Sequence, residues 1–361
     1  MRTINAIAIA AVCIAVAAPP LARAQAAEPK KAEEVYKNIQ QLKGTPADEI
    51  MPAMQFIAAS LGVDCNFCHV QGKMDADDKG AKKTARAMMA MTAAINKDSF
   101  RGRLQVTCYS CHRGSTNPVG VPPVLESDAP MRPAEARPMG PAGGAAPSAD
   151  DIIQKYVTAL GGAEAIQKIT TRSMTGKILA MGNESPIEVL TKAPNKRITI
   201  THMGNGESYT AFDGTAGWMG NSGRPARDMS PAESAASSID AEFYLALRLK
   251  EMFPQMRRVR PEKVGDAECQ VLMGSGAGKP MTRFYFDANS GLLVRLVRYA
   301  DTPVGRMPTQ IDYADYREVD GVKMPFRWTL SRPNGRFTIQ IAEVKANAPI
   351  DDSKFAKPAA Q

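Results

Sequence analysis

The stretch Val63-Asp64-Cys65-Asn66-Phe67-Cys68-His69-Val70 is answered downstream by Val106-Thr107-Cys108-Tyr109-Ser110-Cys111-His112-Arg113. A chain with six Cys and three His thus places four of the former and two of the latter in one pattern, C-x-x-C-H, used twice. Two thiols about one helical turn apart, followed at once by an imidazole, form the attachment pattern for haem c. The thiols add to the two vinyl groups of one porphyrin, and the adjacent His comes to lie beneath the iron as proximal ligand. Cys65, Cys68, Cys108 and Cys111 are therefore the expected covalent anchors of two haem c groups, with His69 and His112 on the proximal side. Other uses of these residues account for less. A four-cysteine zinc site needs neither His. A disulfide suits an oxidising compartment but leaves both His unexplained. A thioredoxin-like pair has no reason to be duplicated.

The third His, His202, sits in a strand-like run far along the chain, so at most one iron could take a second imidazole. Methionines are abundant by contrast: Met51 and Met54 precede the first motif, and Met88, Met89 and Met91 precede the second. Met/His ligation raises a haem's potential and leaves no open position for peroxide or oxygen, which suits electron transfer. Met54 is the first choice for the first iron, because Pro52 disfavours the helical conformation for Met51. Met51 is the alternative there; Met88 is the choice for the second, with Met89 and Met91 as alternatives. All five would serve equally well as apolar packing on amphipathic helices.

The opening, MRTINAIAIAAVCIAVAAPPLARAQ, has the form of an export signal over residues 1–24. Arg2 supplies the short basic region, Ile4–Ala18 the apolar run, and Ala22 and Ala24 the small residues before a cut. That run is shorter than the roughly 20 residues a spanning helix needs, and Pro19-Pro20 ends it. Cys13 lies within it and lacks the small neighbour of a lipid-attachment site. The expectation is a periplasmic protein, soluble or peripherally membrane-associated, with no transmembrane segment after cleavage. The net charge of +8 falls by two with Arg2 and Arg23. It suits a basic patch for acidic redox partner proteins, and nothing reads as nucleic-acid binding.

Three blocks follow the leader: a helix-rich block at 25–116, a Pro/Gly/Ala-rich linker at 117–149 that cannot form a core, and a block at 150–361 that alternates like antiparallel strands. In the first block, Val35, Ile39 and Leu42 recur at helical spacing up to Gly44. A second helix runs from Thr45-Pro46 to Gly62, and a third covers KKTARAMMAMTAAIN, residues 82–96. The Asp75-x-Asp77 run hints at a calcium loop, but Lys79 and Arg86 fall where oxygen ligands are needed. Each half of the block has one order: a Met-bearing helix, a loop, then C-x-x-C-H.

On EVYKNIQQLKG, MPAMQFIAASLGVDCNFCHV and TARAMMAMTAAIN…VTCYSCHRGSTNPV, about residues 33–118, the chain resembles the multihaem cytochrome c subunit of photosynthetic reaction centres. The resemblance implies an electron-transfer unit in which a helix supplies an axial Met and C-x-x-C-H closes the unit. It also implies a Met-x-x-Met pair on that helix, matched by Met51/Met54 and Met88/Met91, with the first of each pair as ligand. That favours Met88 and disputes Met54. Family members carry four haems and many are lipid-anchored, whereas this chain has motifs for two and no lipidation site. The likeness implies the haem unit and not a photosynthetic role.

The third block opens with a capped helix, SADDIIQKYVTALGG, and then strand-like runs. A helix near 239–253 interrupts them, and DANSG, VDGV and PNGR mark hairpins. The pattern resembles the lipoprotein-carrier fold of outer-membrane lipoprotein sorting, a half-open antiparallel barrel with a helical lid. That likeness implies a concave face for an apolar ligand, which Phe212, Trp218, Phe243, Tyr244, Phe284 and Trp328 would line unless they are ordinary core. GSGAGKP at 274–280 fails as a phosphate loop, since Met273 replaces the first Gly and Pro280 the Ser/Thr. Cys269 reads as a buried strand thiol, with an intermolecular cross-link as the alternative. The expected fold is thus α+β in two domains, a small helical dihaem cytochrome c domain and an antiparallel β half-barrel with helices. The expected function is electron transfer rather than catalysis. Its rivals are a dihaem peroxidase or oxidase, and a lipid- or quinone-binding carrier with accessory haems.

Overall fold

The computed structural model of the protein describes residues 29–118, 147–180, 182–333 and 335–358. The expected leader at 1–24 and nearly all of the Pro/Gly/Ala-rich stretch at 117–149 lie outside the described residues.

The helical region starts with α1 (Ala32–Val35), a single turn. A 3-10 turn at Ala47–Glu49 then leads into α2 (Ile50–Leu61). The longer helix expected over 32–44 is absent. Asn38 takes a left-handed φ of 61°. Its carbonyl accepts from Arg86 and its side-chain amide donates to the Asp75 carbonyl, so tertiary bonds replace the helical ladder there. Met51 lies within α2, against the expectation that Pro52 would exclude it. Pro52 sits in the first turn, where backbone N–H groups have no intrahelical partner to lose. The first motif forms α3 (Cys65–Cys68), and α4 (Gly80–Phe100) precedes α5 (Cys108–His112), which carries the second.

The two halves cross. The first motif helix α3 packs on α4, and the second, α5, packs on α2. Gly62 makes this possible: it caps α2 at φ 66°, and its Cα faces the Gly114 carbonyl so closely that any side chain would collide. Gly114 N–H in turn donates to the Ser60 carbonyl at 2.9 Å.

Beyond the linker, α6 (Ala149–Ala159) is capped by Ser148 and followed by α7 (Ala163–Lys168). Six strands then run outward: β1 (Thr171–Ala180), β2 (Asn183–Lys192), β3 (Lys196–Met203), β4 (Gly206–Phe212), β5 (Gly217–Asn221) and β6 (Arg227–Asp228). Helices α8 (Pro231–Ala241) and α9 (Leu245–Met252) carry the chain to the far edge. Seven strands return: β7 (Arg257–Val264), β8 (Ala267–Gly276), β9 (Lys279–Asp287), β10 (Leu293–Thr302), β11 (Gly305–Val319), β12 (Val322–Arg332) and β13 (Gly335–Ala346). β13 closes against β1, giving one thirteen-stranded sheet with β6 and β7 as its free edges. All its pairings are antiparallel, and it is not closed. The single helix expected near 239–253 is two, broken at Glu242–Tyr244, where Phe243 N–H donates to the Pro194 carbonyl. VDGV makes the expected two-residue hairpin, with Asp320 and Gly321 both at positive φ.

Period-two alternation decides the packing. Phe284 and Phe286 on β9 face α6, α7 and α9 in the main core with Tyr156, Phe253 and Leu296, while Tyr285 joins Cys269 and Val271 on the other face. Of the six aromatics expected on a concave face, Phe212, Phe243 and Trp328 do line a cavity of about 440 Å³. The other three do not. Phe284 is core, Tyr244 packs against that core and donates its hydroxyl to the Ile169 carbonyl, and Trp218 is buried with its indole N–H on the Phe355 carbonyl. Cys269 is fully buried, as expected of a strand thiol. His202 pairs through Nδ1 with Glu207 at 2.8 Å on the β3–β4 hairpin, half exposed.

The two regions touch. Phe56 of α2 lies against the Cα of Gly305, at the start of β11, where a side chain would overlap the ring.

Candidate haem-binding sites

Each C-x-x-C-H forms one helical turn, so its two thiols are presented about one turn apart. Asp64 caps the first, its Oδ1 accepting from Asn66 N–H at 2.9 Å and from Phe67 N–H at 3.2 Å. The second begins at Thr107, whose N–H donates to the Ser110 hydroxyl at 3.0 Å. Cys65 and Cys111 are exposed and Cys68 and Cys108 half-buried, so burial pushes the latter two thiols up.

Both imidazoles are held in the same way. Nδ1 of His69 lies 2.8 Å from the Met74 carbonyl, and Nδ1 of His112 lies 2.9 Å from the Ser115 carbonyl. A carbonyl only accepts, so each Nδ1 carries a proton, which in the neutral ring leaves the lone pair on Nε2. That tautomer and orientation are what an axial ligand to a metal requires.

Supporting residues extend this. The Lys82 ammonium donates to the same Met74 carbonyl at 3.0 Å and to the Ala76 carbonyl at 2.8 Å, and pairs with Asp77 at 3.1 Å. Arg86 pairs with Asp77 at 2.8 Å. The Arg86, Asn38 and Lys82 donors hold the Asp77 carboxyl well below the usual carboxylate range. In the second half, the buried Asn96 accepts from Gln105 and Val106 N–H at 3.0 and 2.9 Å and donates to the Val106 carbonyl at 2.7 Å, clamping the loop that enters the motif. Sequence reasoning missed Lys82 and Asn96. The sequence shows them only as a Lys and an Asn within the third helix, yet they are the residues that α4 buries.

A cleft beside the first motif is lined by Cys65, Cys68 and His69, by Met54 and Leu61 of α2, and by Met89 of α4. Met54 and Met89 therefore face one cleft from opposite helices. Met51, Met88 and Met91 are substantially exposed and do not line it. The exposed large apolar side chains Phe67, Leu104 and Tyr109 lie in or beside the motif segments. The donor set fits haem c: paired thiols on one turn, an oriented imidazole, and apolar and sulfur-bearing side chains around them. Among the described residues no three His, Cys, Asp or Glu side chains converge. All five described cysteines are free.

This geometry is what a c-type cytochrome unit would need, and the comparisons point the same way. Residues 1–138 match the family profile described as the photosynthetic reaction centre cytochrome C subunit. Two curated relatives with that subunit's name show the same likeness. That of Thermochromatium tepidum is 36% identical over 114 residues, 30% of this chain and 28% of the relative. That of Roseobacter denitrificans is 33% identical over 114 residues, 27% of this chain and 30% of the relative. The chain thus spans under a third of the length of these relatives. Among solved structures, a LolA superfamily protein from Nitrosomonas europaea aligns over 59% of this chain and 99% of its own at 14% identity and a TM-score of 0.42. A DUF1329 family protein from Desulfovibrio piger aligns over 57% and 96% at 12% identity and 0.40. No helix among the described residues is long and apolar enough to cross a membrane.

Proposed function

We propose that the chain is an exported dihaem c-type cytochrome that passes electrons between periplasmic redox partners. Two covalent haem c groups would be held by Cys65/Cys68 and Cys108/Cys111, with His69 and His112 as proximal ligands. The observation that carries this reading is the repeated fixing of imidazole Nδ1 by a backbone carbonyl, which turns Nε2 to the side where an iron would be ligated at both motifs. When bound, an iron porphyrin supplies a reversible one-electron site. Everything else is the work of side chains. The capped turns hold the thiols in register, Lys82 fixes the segment on which the His69 ring leans, Asn96 clamps the loop that enters the second motif, and the methionines offer sulfur to the distal side. Met54 is the distal ligand we assign to the first iron, because it lines the cleft with His69. For the second we assign Met88, with Met91 one turn further on the same helix. Domain limits at 25–116 and 150–361, joined by the 117–149 linker, belong to the same proposal.

Protein matured in a periplasm that attaches haem c tests it. Intact mass should show two added macrocycles, and the oxidised spectrum should show the far-red sulfur-to-iron charge-transfer band. Colourless protein of bare polypeptide mass would end the proposal. A five-coordinate, high-spin haem would favour the peroxidase or oxidase instead. The β domain supports a second role, since its cavity of about 440 Å³ lies within the range of small-molecule sites and carries apolar walls. There it would bind an apolar ligand.

A further inference from the structure

The β-domain cavity is walled on its apolar side by Met174, Ile178, Ile311, Met324, Trp328 and Ile339, contributed by strands on both sides of the β1–β13 seam. Two arginines also face it, Arg172 of β1 and Arg197 of β3. Their guanidinium planes are positioned by aromatic rings rather than by acids: Arg172 lies 4.4 Å from the Phe243 ring centre and Arg197 lies 5.7 Å from that of Trp328. Among the described residues neither guanidinium has an ion-pair or hydrogen-bond partner. Two carboxylates line the same space, but both are already committed. Asp240 takes both Nη atoms of Arg298, at 2.5 and 2.9 Å, and Glu242 takes Arg248 at 2.7 Å. The cavity is left with two guanidinium groups that no acid pairs directly, Asp240 acting on Arg197 only at longer range, against an apolar wall.

Both arginines are half-buried, and an unpaired cation turned toward an apolar wall is unfavourable and calls for an explanation. Burial accordingly pulls both guanidinium groups down, Arg172 to about 10. A bound anion would reverse that penalty, and Arg is the side chain that suits planar carboxylate or phosphate oxygens.

We propose that this cavity takes a single-chain anionic amphiphile, its acyl chain along the methionine and isoleucine wall and its acid head on Arg172 and Arg197. The inference rests on the reading of the β domain as an apolar-ligand site and adds the head-group chemistry. A neutral quinone or a long-chain alcohol would fill the wall and leave both cations unpaired.

Tryptophan fluorescence and calorimetric titration of the full haem-loaded protein test it, with palmitate, hexadecanol and lysophosphatidylglycerol as probes. Trp328 lines the cavity and reports occupancy, whereas Trp218 is buried elsewhere. Palmitate or lysophosphatidylglycerol should bind about tenfold or more tightly than hexadecanol, since hydrogen bonds to charged groups contribute about 1.5–3 kcal/mol. Which of the two binds tighter separates a carboxylate from a phosphate source. The Arg172→Met/Arg197→Met protein should bind acid and alcohol alike, with an unfolding temperature equal to or above that of the parent. Equal affinity of the parent for acid and alcohol would overturn the acid-head assignment and leave the apolar site standing. Binding of none of the three probes would overturn both.

Discussion

The helical region and the β domain hold their shapes by different means. In the β domain, thirteen strands form one continuous antiparallel ladder, and alternate residues feed apolar clusters on both faces. The hydrogen bonds and the core are generated by one periodicity, so each reinforces the other. The helical region has few buried apolar residues, chiefly Ala32, Ile50, Ala53, Phe56 and Ile57. Its loops hang on single side chains such as Asn38, Lys82 and Asn96, and large apolar groups such as Met51, Phe67, Met88 and Tyr109 stay exposed. A region of this size with so small a core needs a prosthetic group or staple to be stable. On the proposed reading, the first region is built around a cofactor, while the second draws its core from polypeptide alone.

The largest test of that contrast removes the anchors. Protein carrying Cys65→Ser, Cys68→Ser, Cys108→Ser and Cys111→Ser should lose the helical region's folding transition in calorimetry and its amide protection in hydrogen exchange. The β domain's transition should stay within a few degrees of the parent, and a fully protected helical region would break the comparison. Next in size is Asp240→Ala, which strands the buried Arg298 guanidinium in the β domain. It should cost about 3–5 kcal/mol in denaturant unfolding of that domain alone. The helical region's spectrum should not change.

Gly62→Ala should act in the opposite region. It forces a side chain into a left-handed backbone and against the Gly114 carbonyl, costing roughly 1–3 kcal/mol from the backbone alone. The perturbation should appear at the second motif, in the optical or magnetic signature of its haem, because Gly62 is where α2 meets the segment after α5. The smallest effect is expected at Asp77. Its carboxyl is held below the ordinary range in the folded protein, so its contribution is complete above the unfolded value and is lost as pH falls through the folded one. Asp77→Asn should therefore flatten the acid side of the helical region's stability curve and leave neutral-pH unfolding of the β domain unchanged. Unfolding followed across acid pH by haem absorbance and by tryptophan fluorescence reads the two regions separately.

The residues that do chemistry were the most legible part. C-x-x-C-H is a local pattern, since two thiols and an imidazole within five positions need only one helical turn to be brought together. Hairpins were legible for the same reason: Asp320-Gly321 is a turn wherever it stands between strands. What the pattern did not carry is the partner side. His69 and His112 lean on carbonyls of Met74 and Ser115, and a carbonyl has no sequence identity to recognise. The 32–44 segment has a helical spacing that tertiary bonds from Asn38 and Arg86 override. Pro52 was read as excluding Met51 from the helix, although its place in the first turn removes the conflict. Among the aromatics, whether Phe284 fills a core or Phe212 faces a cavity depends on which helix covers which strand.

Sequence by itself determined the two thiol–imidazole motifs, the strand period and the turns, because each is fixed by contacts within a few residues. Only the tertiary structure decided that α3 meets α4 and α5 meets α2, that Met54 and Met89 share one cleft, and that Arg172 and Arg197 face a cavity without acids to pair them. Those relations join residues far apart in the chain. Such contacts are set by how whole elements bury their faces, a sum over the fold that no local stretch contains.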